Sequence, residues 1–300
     1  MKLKFMDPQQ KRTWRFALAA LLVIILLTIP AYFQMHSSNQ LRAQRQRATM
    51  SPIIMIPGSS ATKERFNRLV NLLNRDTHQK HSLLKVEVYN NGKITYSGKI
   101  NKGDREPFIV VGFQNNHDGY DNIKKQATMF DAAFAQLSEE YQFNNFKAFG
   151  HSNGGLIWTR WIETYYDDYK DDIKLRVLMT VASPFNLAET SIKNKTQMFT
   201  DFVKHRTKIP RSLDVIAVVG NEDSYTSDGL VPADSVLAGK YIYQKRAHSY
   251  TSMTVTGEQA QHSNLPQNKQ IVKLIEQYLM DSTKQPLKRG KRPTLTKGSE

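Results

Sequence analysis

Residues 146–155 read FKAFGHSNGG, a short apolar run followed by a serine that has one glycine two residues before it and another two residues after it. The run predicts a buried strand at 146–149, and the apolar spacing that follows predicts a helix at 153–166. Between a strand and a helix, G-x-S-x-G is typical of a nucleophile elbow, a sharp turn that exposes the serine hydroxyl. The sequence therefore predicts that Ser152 is a nucleophile; the alternative is an ordinary exposed serine in a glycine-rich turn.

Apolar strands alternate with amphipathic helices on both sides of this stretch. The strands are nearly continuous apolar runs, which is typical of a parallel sheet covered by helices on both faces. The sequence therefore predicts one α/β domain at 51–280 with a mostly parallel sheet. We predict strands at 52–56, 108–113, 146–149, 176–181, 215–219 and 250–256, a hairpin at 84–97, and helices at 63–74, 123–141, 153–166 and 268–280.

A nucleophilic serine needs a base within hydrogen-bond reach and an acid that orients the base. In folds with this elbow, the acid and then the histidine follow the serine along the chain. His262 follows the last predicted strand and is therefore the predicted base. His248 precedes that strand, which puts it at the opposite edge of the sheet, and the other six histidines precede any suitable acid.

The acid should follow the predicted strand at 215–219, because reacting groups lie at the carboxyl ends of parallel strands. Asp223, Asp228 and Asp234 all satisfy this condition. We favour Asp228, since Gly229 directly after it permits a tight turn. An Asx-turn or a helix cap is the structural alternative for any single aspartate in a loop.

Two backbone N–H groups are needed to stabilise the oxyanion that forms when a serine attacks a carbonyl. One should come from Asn153, the residue after the nucleophile. The other should come from the turn after the first strand, where we expect Ser59 to donate, with Ser60 as the alternative.

The chain of 300 residues carries a formal net charge of +15, from 42 Lys and Arg and 27 Asp and Glu. Residues 1–15, 36–50 and 281–300 together hold 14 of the basic and 3 of the acidic residues, a net charge of +11. The rest of the chain therefore carries only +4, whereas a nucleic-acid site concentrates its basic residues on a folded face. We expect no nucleic-acid partner.

Residues 16–33 form an apolar run in which Thr28 is the only clearly polar residue. As a helix rising about 1.5 Å per residue, the run would reach about 27 Å, close to the roughly 30 Å hydrocarbon core of a bilayer. The basic residues before it favour a cytoplasmic N-terminus. We expect a single transmembrane anchor with the catalytic domain outside the cell. The alternative is a cleaved signal peptide and a secreted domain, although Ile29 would then occupy a cleavage position that requires a small residue.

The chain is thus divided into five segments, each with its own composition. We predict a basic cytoplasmic N-terminus at 1–15, the membrane anchor at 16–33, a polar stalk at 34–50, the folded domain at 51–280 and a basic disordered tail at 281–300. The tail is a candidate for contact with anionic polymers of a cell envelope. Within the domain, segment 187–211 is a candidate lid, although a plain connecting helix would have the same pattern.

The chain has no cysteine, which excludes disulfides, thiolate nucleophiles and cysteine-ligated metal clusters. The metalloprotease pattern H-E-x-x-H is also absent. We therefore expect neither a metal ion nor a cofactor.

Several segments together resemble the DUF915 family, alpha/beta hydrolases of unknown function that include hydrolases of Gram-positive cell surfaces. They cover roughly residues 51–280 in the expected order, namely IIMIPGSSAT, FIVVGFQNN, FKAFGHSNGG, TVASPFN, VVGNEDSYTSDGLVP and VTGEQAQHSNLPQN. The resemblance implies a lipase- or esterase-like α/β-hydrolase fold with Ser152, Asp228 and His262 as the matching triad. It also implies a membrane-anchored or secreted location.

One position departs from the pattern of related hydrolases. Where they often have His-Gly after the first strand, this chain has Pro57 before Gly58. The histidine side chain often braces the oxyanion loop, so the departure leaves open how Ser59 is held.

These observations together predict a serine hydrolase that cleaves a small-molecule or lipid ester outside the cell. An acyltransferase with the same triad is the nearest alternative, since it differs only in the acceptor of the acyl group. The other alternative is a binding module of the cell envelope on the same fold, in which the triad is not assembled. The resemblance names a reaction class and no substrate.

Overall fold

Residues 8–222 and 226–281 are described by the structure, which is a computed structural model. They belong to two compact units that divide between Ala48 and Thr49. The alternative acid Asp223 lies outside the described residues, as do residues 1–7 and, apart from its first residue, the basic tail predicted at 281–300.

The first unit contains one long helix, α1 (Pro8–Gln46). Its window Arg12–Ile29 has a mean hydropathy of 1.9 and is the one segment among the described residues that is long and apolar enough to cross a membrane. This criterion rests on length and composition alone, and signal sequences also meet it. The helix continues through most of the predicted stalk, so the polar segment begins as a helix.

The second unit is built on an eight-stranded sheet, which confirms the predicted α/β fold. The strand order is β3-β2-β4-β1-β5-β6-β7-β8, and every neighbouring pair is parallel except the β2–β3 hairpin at one edge. The strands are β1 (Ile53–Ile56), β2 (Leu83–Val88), β3 (Ile94–Gly98), β4 (Phe108–Phe113), β5 (Asn145–His151), β6 (Lys174–Val181), β7 (Asp214–Asn221) and β8 (Ser249–Thr256).

Helices cover both faces of the sheet, as the continuous apolar strands predict. The helices of this unit are α2 (Asn67–Asp76), α3 (Tyr120–Tyr141), α4 (Asn153–Thr164), α5 (Gln197–His205), α6 (Ala233–Leu237), α7 (Lys240–Tyr243) and α8 (Lys269–Tyr278). Alternate residues of β1 pack on opposite faces of the sheet. Ile54 and Ile56 pack in the core under α3 and α4, and Ile53 and Met55 pack in the core under α2 and α8.

A buried ion pair lies at the amino edge of the sheet, where the parallel strands begin. Lys147, near the start of β5, is 1 % exposed, and its Nζ lies 2.7 Å from Glu106 Oε1 and 3.0 Å from Asp281 Oδ2. The same Nζ lies 3.5 Å from the carbonyl oxygen of Ser51. Lys147 therefore joins residues from the beginning and the end of the domain at one point.

Segment 187–211 contains α5, which packs against the rest of the domain. Met198, Phe199 and Phe202 on one face of this helix are buried in the core that α3 and α4 share. This is the packing of a connecting helix, and a lid role for the segment stays untested.

Candidate active site

Ser152 occupies a sharp turn between the end of β5 and the start of α4. Its φ of 55° lies in the left-handed region, which is costly for a residue with a Cβ and is found mainly where the surroundings enforce it. The flanking glycines explain the tightness. A Cβ at Gly150 would lie 2.5 Å from the Gly155 nitrogen, and one at Gly154 would overlap the Ile56 carbonyl oxygen. The two glycines of the motif are therefore required by close backbone contacts on either side of the serine.

Asp228 and His262 are brought into direct contact, although 34 residues separate them. His262 Nδ1 lies 2.6 Å from Asp228 Oδ2, and both residues are buried. The other carboxylate oxygen accepts the backbone N–H groups of Leu230 (3.1 Å) and Val231 (2.7 Å). An ionised carboxylate only accepts, so Nδ1 of His262 is the donor in this contact; in the neutral imidazole, Nε2 then has the lone pair that a general base needs.

The other candidates for acid and base lie elsewhere. Asp234 lies in the first turn of α6, where the helix dipole stabilises a negatively charged carboxylate. Nδ1 of His248 lies 2.9 Å from Asp214 Oδ1 at the amino edge of the sheet. The structure therefore leaves Asp228 as the acid in contact with His262 among the described residues.

His151, the residue before the serine, is a site residue that the sequence analysis missed. Its Nε2 lies 3.1 Å from the carbonyl oxygen of His262, so the ring donates a hydrogen bond to the backbone of the predicted base. The two imidazole centroids are 4.7 Å apart. Burial, together with the nearby His262 and Arg65, lowers the pKa of His151 well below its usual value. His151 is therefore neutral, which suits a donor facing a second imidazole.

The backbone of His262 is held from both sides. Its N–H donates to the carbonyl oxygen of Asp228 at 2.8 Å, and its carbonyl oxygen accepts from His151. The only sequence signal for this arrangement was the position of His151 beside Ser152. Its contact partner is 111 residues away, and no local pattern reveals it.

The turn after β1 lies against the serine. A Cβ at Gly58 would lie 2.7 Å from Ser152 Cβ and 3.2 Å from Ser152 Oγ. Within the described residues the Ser152 hydroxyl makes no hydrogen bond to His262. Catalytic hydrogen bonds are often open in the free enzyme and close when substrate binds.

The two segments predicted to supply the oxyanion donors lie on either side of Ser152, one at the start of α4 and one in the turn after β1. Asn153 is the first residue of α4, where the N–H has no acceptor within the helix. On the other side, the Ser60 N–H donates to the Asn116 carbonyl oxygen at 2.7 Å, so it is already used. Ser59, which follows Gly58 directly, therefore stays the predicted donor of the two serines considered.

Among the residues that the structure describes, no group of three or more His, Asp or Glu side chains is arranged to hold a metal ion. The candidate site brings together the strained Ser152 turn and the buried contact between His262 and Asp228.

Comparison with known proteins links this geometry to a family. The model of the family "Alpha/beta hydrolase of unknown function (DUF915)" matches residues 40–282. No protein among the curated ones matches the chain.

Two solved structures share both fold and sequence with this chain. A candidate cell surface hydrolase from Lactobacillus plantarum WCFS1 is 51 % identical, with a TM-score of 0.71, over 77 % of this chain and 92 % of that one. A gene product of Listeria innocua is 27 % identical, also with a TM-score of 0.71, over 77 % of this chain and 94 % of that one.

Proposed function

The chain belongs to the DUF915 family of alpha/beta hydrolases, and on that premise we propose that it is a serine esterase held at the outer face of the cell membrane. The contact between Asp228 and His262, beside the strained Ser152 turn, is the observation that carries the proposal. A binding module with a dispersed triad would not need this contact. The geometry therefore favours catalysis over binding alone.

The proposed reaction begins with attack of the Ser152 Oγ on the ester carbonyl carbon. His262 Nε2 takes the hydroxyl proton as the Oγ–C bond forms, and Asp228 stabilises the imidazolium and fixes its tautomer. The carbonyl π electrons move to oxygen, and the N–H groups of Asn153 and Ser59 stabilise this oxyanion. Each such donor typically contributes on the order of 3 kcal/mol to the transition state.

Collapse of the tetrahedral intermediate releases the alcohol. The carbonyl re-forms, the bond to the leaving oxygen breaks, and His262 gives its proton to that oxygen. Water then attacks the acyl-enzyme with His262 again as base, and a second collapse releases the carboxylic acid and restores Ser152. That the bond is a carboxylic ester rests on the lipase- and esterase-like chemistry that the family resemblance implies.

The proposed location rests on two separate observations. Helix α1 contains an apolar window of membrane-spanning length, and the Lactobacillus relative is described as a candidate cell surface hydrolase. We propose one transmembrane helix with the catalytic domain outside. The basic tail, which carries six Lys and Arg within 281–300, is proposed to contact anionic polymers of the envelope. Deletion of residues 284–300 should then weaken retention of the protein in the envelope.

A fluorophosphonate probe tests the chemistry, because it labels an activated serine. The full chain in detergent micelles should be labelled, and Ser152→Ala should not be. Ser212→Ala, an exposed serine at the amino edge of the sheet, is the matched control and should be labelled like wild type. Absence of labelling in wild type, or equal labelling of Ser152→Ala, would refute the proposal. Added glycerol distinguishes an acyltransferase, which would transfer the acyl group to glycerol in preference to water.

A further inference from the structure

The loop between β4 and α3, residues 114–119, touches the turn that carries Ser59. The Asn116 carbonyl oxygen accepts the Ser60 N–H at 2.7 Å, and the Asn116 side-chain Nδ2 donates to the Ala61 carbonyl oxygen at 3.1 Å. One residue of the loop thus accepts from and donates to two successive residues of the turn. Two bonds of opposite direction fix both the position and the rotation of that backbone.

The same loop also touches the other side of the predicted oxyanion hole. The side-chain Nδ2 of Asn153 donates to Asp118 Oδ1 at 2.8 Å. Asn153 is the residue whose backbone N–H is the second predicted donor, and it is 7 % exposed. One six-residue loop therefore contacts both donor-bearing segments, although they are far apart in sequence.

The loop is held in turn by amide side chains of α3. Asn122 donates to the Asp118 carbonyl oxygen at 2.7 Å and accepts from the Asn115 side chain at 3.0 Å. Gln126, which is 2 % exposed, donates to the Asn115 carbonyl oxygen at 2.5 Å. Because α3 packs its apolar face in the core, these bonds anchor the loop to a rigid element.

The turn after β1 needs such an anchor. Ser60 has a φ of 58°, a left-handed conformation that relaxes unless its surroundings enforce it. We propose that loop 114–119 is the brace of the oxyanion hole, with Asn116 and Asp118 as positioning residues that act through Ser59 and Asn153. The inference rests on the proposed function, because it assigns a task to the same site.

Steady-state hydrolysis of p-nitrophenyl butyrate by the full chain in detergent tests the brace. Asn116→Ala and Asp118→Ala should each lower kcat about tenfold, a fraction of the 10²- to 10³-fold typical for complete loss of a donor, and change KM by less than about twofold. Asp118→Asn keeps an oxygen that accepts from Asn153 and removes a negative charge near the oxyanion. Its kcat should therefore equal or exceed that of wild type.

Asp121→Ala is the matched control, since it removes another carboxylate three residues away that is exposed and pairs with Lys124. It should leave kcat unchanged. Rates are expressed per site that reacts with the fluorophosphonate, so that a merely structural loss of folded protein does not lower them. The inference fails if Asp118→Ala keeps wild-type kcat, or if Asp118→Asn is as slow as Asp118→Ala.

Hydrogen exchange tests the brace without any activity. Asn116→Ala keeps the backbone carbonyl that accepts the Ser60 N–H but removes the side-chain donor to the Ala61 carbonyl oxygen. Because the turn is then held by one bond and can rotate, peptides covering 58–62 should exchange at least several-fold faster in Asn116→Ala than in wild type. Equal exchange in the two proteins would overturn the brace. Failure of the proposed function gives a different result: wild type is not labelled by fluorophosphonate, while the exchange difference between wild type and Asn116→Ala persists.

Discussion

The amino edge and the carboxyl edge of the same sheet differ in what they hold buried. At the amino edge, Lys147 is buried with Glu106 as an ion pair that joins the two ends of the domain. At the carboxyl edge, Ser152 is held at positive φ, and in the part of the chain that the structure describes its hydroxyl makes no hydrogen bond to His262. In a parallel sheet the two edges carry separate loops, so stability and reactivity can reside in different residues. We therefore expect substitutions at the carboxyl edge to lower kcat without lowering stability. Substitutions at the amino edge should lower stability without changing kcat.

The largest effect is expected from Ser152→Gly at the carboxyl edge. Loss of the nucleophile should lower kcat by at least about 10⁴-fold. Glycine adopts a φ of 55° without strain, so the free energy of unfolding should rise by about 1 kcal/mol. Ester hydrolysis and urea denaturation in detergent measure the two quantities, and Ser152→Ala, which keeps the strain, is the control. A loss of stability in Ser152→Gly would contradict the assignment of reactivity to one edge of the sheet and stability to the other.

The next effect is expected at the amino edge, where Lys147→Met removes the ammonium group that pairs with the buried Glu106 carboxylate. Removing one partner of a buried ion pair typically costs about 3–5 kcal/mol of unfolding free energy. The double variant Lys147→Met/Glu106→Leu removes both charges and should recover most of the loss. In both variants, kcat per reactive serine should stay at the wild-type value. A fall in kcat with stability unchanged would contradict the separation of the two edges.

A smaller effect is expected from His151→Phe, which keeps a ring beside His262 but removes the donor to its carbonyl oxygen. Since the histidine backbone is then held from one side only, kcat should fall about 10- to 100-fold, a transition-state effect of about 1.4–2.7 kcal/mol. KM should change little. His151→Gln, which can still donate from its amide, should recover part of the rate. A KM effect without a kcat effect would instead make His151 a substrate contact.

The sequence predicted the sheet and Ser152 because their signals are local. Apolar runs mark each strand, and the glycines at 150 and 154 mark the elbow, so no distant partner had to be known. Asp228 and His262 were found through chain order and the edge at which their loops lie. The contacts of His151, Asn116 and Lys147 were missed because each joins segments that are distant in sequence, and such a contact leaves no local sequence pattern.

The same limit explains why element ends were less well predicted than element centres. The helix predicted to start at 63 starts at Asn67, because residues 63–66 form turns that follow the loop after β1. The strand predicted at 146–149 extends to His151, since β6 pairs with it up to that residue. In the second case a contact with another strand, which the local sequence does not show, sets the boundary.

Glu163 is a buried carboxyl group on the side of the carboxyl edge, since it lies on α4, the helix that begins at the Ser152 turn. It is 6 % exposed, its carboxyl oxygens make no hydrogen bond among the described residues, and burial raises its pKa to about 9. Between its ordinary pKa of 4.5 and about 9, the folded chain binds a proton that the unfolded chain has released. The contribution of Glu163 to the unfolding free energy therefore falls as pH rises through this window, by at most about 1.4 kcal/mol per pH unit.

Glu163→Gln cannot ionise and should remove this dependence. Relative to wild type, the variant should gain about 1 kcal/mol of unfolding free energy between pH 7 and pH 8, measured by urea denaturation in detergent. Glu276→Gln, at a half-buried position on α8 where burial raises the pKa less, is the control and should follow wild type closely. Parallel pH profiles for wild type and Glu163→Gln would mean that Arg160 neutralises a charged Glu163 in the fold. The helix behind the nucleophile would then be held by an ion pair, as the amino edge is, and the contrast between the two edges would be weaker.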